Sequence, residues 1–163
     1  MAVNARATWQ LIRSFASQYE SKGQADDESD PQSPDRPPKK LLRILSITSD
    51  HTAGNLPYGA SKGAMDRIVL AAAQELAGAF GSIGSHYTSN VINPMGATGT
   101  GWVSAAPDDD DDDMAKAVLE RNLQPRLGQP LDVANLVSFL CPQESQWING
   151  GQVLYSDGGL RRS

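Results

Sequence analysis

One cysteine, Cys141, is all that this chain of 163 residues carries. An internal disulfide is therefore excluded, and a reducing compartment, the cytoplasm, is the expected location. Positive charge is also short: 14 Lys and Arg against 19 Asp and Glu leave a formal net charge of −5. That sign argues against a nucleic-acid partner or an anionic membrane, both of which need a basic surface. No apolar run approaches the roughly 20 residues of a membrane-spanning helix. The opening Met1-Ala2-Val3-Asn4-Ala5-Arg6 lacks the apolar stretch of a secretion signal. The one dense acidic run, Asp108 to Asp113, lacks the spaced ligands and the glycine turn of a calcium loop. Consecutive like charges repel and stay solvated, so no metal site is expected. The length allows one ordinary domain, 1–163.

What is present centres on Tyr58-Gly59-Ala60-Ser61-Lys62. It follows a Gly54-Asn55-Leu56-Pro57 turn and opens an apolar series, Ala64, Met65, Ile68, Val69, Ala72, Ala73 and Leu76. Spacings of three and four predict an amphipathic helix. A tyrosine and a lysine four apart then share one face. A phenol ordinarily ionises near pH ~10. A nearby ammonium stabilises the phenolate and lowers that value, so the pair can exchange a proton with a hydroxyl or carbonyl. The same spacing also suits an aromatic at the core edge beside a solvated lysine, and spacing alone does not separate the two.

Taken in order, residues 4–19 read as a helix with Trp9, Leu11, Ile12 and Phe15 as its apolar stripe, and Asn4 at the position of a cap. Residues 20–40 crowd Glu, Ser, Lys, Gln, Asp and Pro with no periodic apolar residue. That composition cannot offset its ordering entropy, and a disordered insertion is expected. Leu41 to Thr48 is a near-continuous apolar strand of the buried parallel type, with Ser46 inside it and Ser49 at its carboxyl end, where open α/β sheets bind ligands. A glycine- and serine-rich connection, Gly78 to Ser85, leads to a second strand, Tyr87–Asn93, stopped by Pro94. After the glycine-rich turn Met95 to Trp102 comes an acidic mobile loop, 103–114, whose last aspartates cap a helix near Met114. Asp132 to Leu140 is a further helix and Gln152 to Ser156 a last strand. The alternation of strand and helix is that of a parallel α/β sheet.

Three pieces together resemble the short-chain dehydrogenase/reductase family, in its ketoreductase-like (3-oxoacyl-ACP reductase-like) branch. They are Ser49 with Tyr58-x-x-x-Lys62, the Asn93-Pro94-Met95-Gly96 turn with its threonines, and Gly151-Gln152-Val153-Leu154-Tyr155-Ser156-Asp157-Gly158-Gly159. The resemblance implies a partial Rossmann-like, doubly wound parallel sheet of about three strands with flanking helices. It covers the family's C-terminal half. The N-terminal nucleotide-binding half is lacking, and no Gly-x-x-x-Gly-x-Gly turn that would cradle a pyrophosphate is found.

The implied activity is NAD(P)-dependent interconversion of a small-molecule carbonyl and an alcohol. The resemblance assigns Tyr58 as general acid/base, Lys62 as its partner and ribose anchor, Ser49 as the ligand of the substrate oxygen and Asn4 as a member of a proton relay. Asn4 as a simple cap remains the alternative. NADP or NAD would be held by Tyr58, Lys62, Pro94, Gly96, Thr98 and Thr100. Met95 stands where the family places glycine, which leaves open which threonine meets the cofactor. The strand Leu41–Thr48 would lose one neighbour and become an edge. A homo-oligomer or a full-length dehydrogenase partner is therefore expected. The second functional reading is a truncated, inactive relative that acts through such pairing.

Overall fold

The structure is a computed structural model, and it describes residues 2–23, 41–50, 55–81, 86–99, 103 and 113–161. A π-helical segment, Ala2–Ala7, runs directly into helix α1, Thr8–Gly23. Strand β1, Leu41–Ile47, is followed by the long helix α2, Leu56–Gly81, and by β2, His86–Asn93. Helices α3, Asp113–Arg121, and α4, Pro130–Leu140, precede the short β3, Val153–Tyr155. The strands form one parallel sheet in the order β1-β2-β3.

The period of two along the strands builds the main core. Tyr87, Ser89 and Val91 share one face of β2, and that face meets α2. Tyr87 Oη donates to Ala72 O, Ser89 Oγ donates to Val69 O, and Val91 packs with Met65, Val69 and Ala72. As β2 rises, α2 descends past it. The next residue in the same row, Asn93, therefore reaches the level of Lys62 and Tyr58. On β1 the even residues face the same helix: Ser46 Oγ contacts Met65 Sδ at 3.3 Å, and Leu42 packs with Ala16 and Tyr87. A second cluster of Val103, Ala115, Val118, Leu127 and Leu160 fastens α3 against the turn after β2. At Gly150, with φ +67°, a side chain would strike Cβ of Ala73, so this turn can lie against α2 only as glycine.

Several expectations need correction. The N-terminal helix begins at Ala2, so Asn4 lies inside a helical segment and is not its cap. Of the expected stripe, Ile12 is buried, whereas Trp9 and Leu11 are exposed. Helix α1 extends to Gly23, into the stretch expected to be disordered. Glu and Lys are good helix formers, and no proline intervenes before Pro31. The rest of that stretch, 24–40, lies outside the described residues. Likewise α2 continues through Gly78 to Gly81, because two glycines among alanines weaken a long helix without breaking it. Strand β1 is less buried than its apolar sequence suggested, with Ile47 43% exposed, because it sits at the sheet edge. Within 103–114, Val103 is buried and Asp113 opens α3; the residues between them, 104–112, lie outside the described set.

Candidate active site

At the carboxyl ends of β1 and β2 a cavity of about 180 Å³ opens. Ser49 borders it just beyond β1, Tyr58 and Lys62 come from the first turns of α2, and Asn93, Pro94 and Gly96 come from the end of β2. Met95, Val103, Met114 and Val118 form an apolar wall. Four of the residues expected at a site in the first half of the chain, and two from the proline turn, were Asn4, Ser49, Tyr58, Lys62, Pro94 and Gly96; all but Asn4 border this one space.

Lys62 Nζ lies 6.0 Å from the centre of the Tyr58 ring and donates to Ile47 O at 2.8 Å. That bond satisfies a carbonyl at the end of the edge strand. An ammonium has three donors, so two remain for other partners. Asn4 does not border the cavity. Its Nδ2 donates to Ser61 Oγ at 2.8 Å, and Ser61 Oγ donates to Tyr58 O at 2.7 Å. Asn4 thus braces the backbone under Tyr58 from a π-helical turn, a feature that recurs at functional positions.

Thr98 is turned away. It is buried, and its Oγ1 donates to Gly128 O at 3.2 Å, beside the bond from Thr98 N to the same oxygen. Thr100 lies outside the described residues. Gly96 adopts φ +78°, and a side chain there would press within 2.9 Å of Val118 Cγ1. Glycine is needed for α3 to close on the turn.

Two polar residues were assigned no role from the sequence, although Asn93 belongs to the Asn93-Pro94-Met95-Gly96 turn. Asn93 is fully buried; its Nδ2 donates to Asp50 Oδ1 at 2.6 Å. A carboxylate accepts only, which fixes the amide's orientation. Asn93 Oδ1 is left without a partner among the described residues, on a side chain that borders the cavity. Its place in the row of Tyr87, Ser89 and Val91 was the available signal. Asp66, four residues beyond Lys62, is the other. Burial holds its carboxyl above the ordinary value, against the lowering influence of Thr48 and Lys62.

Among the described residues no group of three or more His, Cys, Asp or Glu is placed to hold a metal ion, and no helix is long and apolar enough to cross a membrane.

The sequence model of the family described as Enoyl-(Acyl carrier protein) reductase matches residues 39–161. The chain is 33% identical over 124 residues to the oxidoreductase YjdA of Bacillus subtilis (strain 168), covering 74% of this chain and 43% of that protein. Its fold is similar to that of a hydroxysteroid dehydrogenase from Escherichia coli, with a TM-score of 0.67 and 26% identity, over 98% of this chain and 55% of that one. It also resembles the angucycline C-6 ketoreductase LanV, a structure with bound NADP, with a TM-score of 0.52 and 27% identity, over 72% of this chain and 42% of that one. The chain spans about half the length of the curated relatives it matches.

Proposed function

This chain belongs to the short-chain dehydrogenase/reductase family, with the three-stranded parallel sheet of a partial Rossmann fold, and on that premise we propose that it serves the NAD(P)-dependent interconversion of a carbonyl and an alcohol. The observation that carries this reading is the gathering of Ser49, Tyr58, Lys62 and the Asn93–Gly96 turn around one cavity. When bound, the nicotinamide supplies or accepts the hydride. The remaining work falls to side chains of this chain. Tyr58 Oη gives its proton to the carbonyl oxygen in reduction and takes it from the hydroxyl in oxidation. Lys62, with donors to spare, favours the phenolate. Ser49 Oγ donates to the same substrate oxygen and fixes its approach.

The described residues fit one end of the cofactor. Tyr58, Lys62, Pro94 and Gly96 would meet the nicotinamide and its ribose, and the bare, buried Asn93 Oδ1 suits a ligand that brings an N–H. Among them is no glycine-rich turn for the pyrophosphate. The apolar wall of Met95, Val103, Met114 and Val118 favours an uncharged substrate, since Lys62 is the sole cation among the described residues that border the cavity.

Titrating the chain with NADPH and NADH while following thermal unfolding tests the reading. A nucleotide that binds the folded form alone, at a hundred times its dissociation constant, adds about 2.7 kcal/mol. A rise with either nucleotide supports a cofactor site, and no rise with both opposes one on this chain by itself.

The second reading is action only together with another polypeptide, either a second copy or a longer dehydrogenase. Its support is the edge position of β1, whose outer N–H and C=O groups offer a template for pairing. Light scattering alone and in mixture with such a partner separates it from the first.

A further inference from the structure

Ser49 lies two residues beyond the end of β1, outside the ladder that fixes the strand. The chain is nevertheless tied on either side of it. Before it, Thr48 N donates to Ile92 O at 2.8 Å. After it, Asp50 Oδ1 accepts from Asn93 Nδ2 at 2.6 Å. Both ties run to consecutive residues at the end of β2, and Ile92 and Asn93 are fully buried. Asn93 is anchored in turn through its backbone, since its O accepts from Ser156 N at 2.9 Å, just past β3. Between the two ties Ser49 borders the cavity, and Asp50 does not. The second tie has a visible cost. Asn93 Nδ2 is committed to Asp50, and Asn93 Oδ1 stays buried without a partner among the described residues. An apolar side chain in this row, like Val91 one step below, would avoid that cost and leave Asp50 without the bond. A carboxylate acceptor makes the bond of the stronger, charge-assisted kind.

We infer that Asn93 and Asp50 are positioning residues for Ser49: their hydrogen bond closes the chain beyond it onto β2, so that its hydroxyl meets the cavity from a fixed backbone. The role rests on the reading of Ser49 as the ligand of the substrate oxygen. A hydroxyl can orient a substrate only when its own carrier is held, since a misplacement of about 1 Å costs on the order of 10²-fold in rate. The support matches that of Tyr58, whose backbone is braced by Asn4 by way of Ser61. Each of the two hydroxyl-bearing residues thus stands on an amide donor from another element, Asn4 beneath Tyr58 and Asn93 behind Ser49.

Nitrogen-15 NMR relaxation of the full chain reads this clamp without substrate or cofactor. In the unsubstituted chain the Ser49 N–H should have an order parameter of about 0.85, the value of rigid backbone. Asp50→Ala and Asn93→Ala should each bring it below about 0.6, while the amides of α2 and of the lower part of β2 keep their values. Combining the two should loosen Ser49 no further, because both remove the same bond. Asp50→Asn keeps an oxygen that can accept from Asn93 Nδ2, and in it Ser49 should stay rigid. That rescue separates positioning from a general loss of stability, which would not be confined to Ser49. A rigid Ser49 in either alanine variant overturns the inference, as does a Ser49 already flexible in the unsubstituted chain. So does an Asp50→Asn variant as loose as Asp50→Ala. Should Asn93→Ala fail to fold, Asp50→Ala, at a half-buried position beyond the strand, decides. The nucleotide titration tests the oxidoreductase reading by itself, so a loosened Ser49 without a thermal rise counts against that reading and not against the clamp.

Discussion

Two asparagines three residues apart on β2 are both buried, yet the structure treats them differently. Asn90 is closed at both ends of its amide: Nδ2 donates to Ile148 O at 2.8 Å and Oδ1 accepts from Gly150 N at 3.1 Å. Nearby Asn149 is closed in the same way, its Oδ1 accepting from Ser89 N and its Nδ2 donating to Tyr87 O, as a third strand's backbone would. Among the described residues Asn93 has only its Asp50 bond, and its oxygen, on a side chain that borders the cavity, has no partner. A buried polar atom without a partner costs about 1–3 kcal/mol. The lower half of the strand therefore invests its amide in the fold, while at the upper end one acceptor, Asn93 Oδ1, has no partner among the described residues. Among the described residues Thr88 Oγ1, on the lower half, is also without a partner, and nothing in the structure explains it.

The contrast can be broken experimentally, and the largest effect is expected at the open end. Tyr58→Phe removes the proton carrier without changing the packing of its ring. It should lower turnover by 10²–10⁴-fold, roughly the range of general acid–base catalysis, with little change in unfolding midpoint. Retained turnover in a steady-state assay would refute the role given to Tyr58.

At the closed end the effect should be on stability. Asn90→Ala strands Ile148 O and Gly150 N, and chemical denaturation should show a loss of about 3 kcal/mol. Asn93→Ala is the matched control. It removes an amide that was already half unpaired, and Asp50 is half-buried and can turn to water. Its cost should be about 1 kcal/mol, with a larger proportional loss in the response to nucleotide. Equal losses from the two alanine variants would end the comparison.

The smallest effects concern two aspartates with opposite signs. Asp132 is exposed and fully engaged: Arg126 holds it at 2.7 and 2.9 Å, and Gln129 N donates to it at 2.8 Å. Those bonds lower its pKa from 3.8 to about 2. Its contribution to stability is present above its unfolded value and is lost as the pH falls through its folded one, so thermal unfolding of Asp132→Asn should differ from the parent at neutral pH and converge with it in acid. Asp66 is raised by burial, so its contribution is present below the unfolded value and is lost as pH rises through the folded one. Asp66→Asn should therefore be slightly more stable than the parent at neutral pH. A lower midpoint there would contradict the burial argument.

Much of this was legible in one dimension. The period of the apolar residues announced α2, strand-like runs announced β1 and β2, and three parallel strands were expected and found. The Tyr58–Lys62 spacing fixed a common face because helical geometry is local. Ser49 and Pro94 could be placed beside that face because parallel strands bring their carboxyl ends to one edge. Element ends were less legible: α1 and α2 both run several residues past the expected stops, since helices end where packing ends and not only where propensity falls.

The sequence by itself thus determined the elements, their order and the set of residues able to meet at the strand ends. Tertiary structure alone decided how each is used. It turned Thr98 toward Gly128, joined Asn4 to Ser61, and set the Lys62 ammonium on Ile47. It also closed Asn90 while leaving Asn93 open, a choice no pattern of residue types encodes. The reason is physical. Spacing along a helix or strand dictates which side chains share a face, but the partner of a polar atom is whatever the packing of distant segments brings within about 3 Å of it.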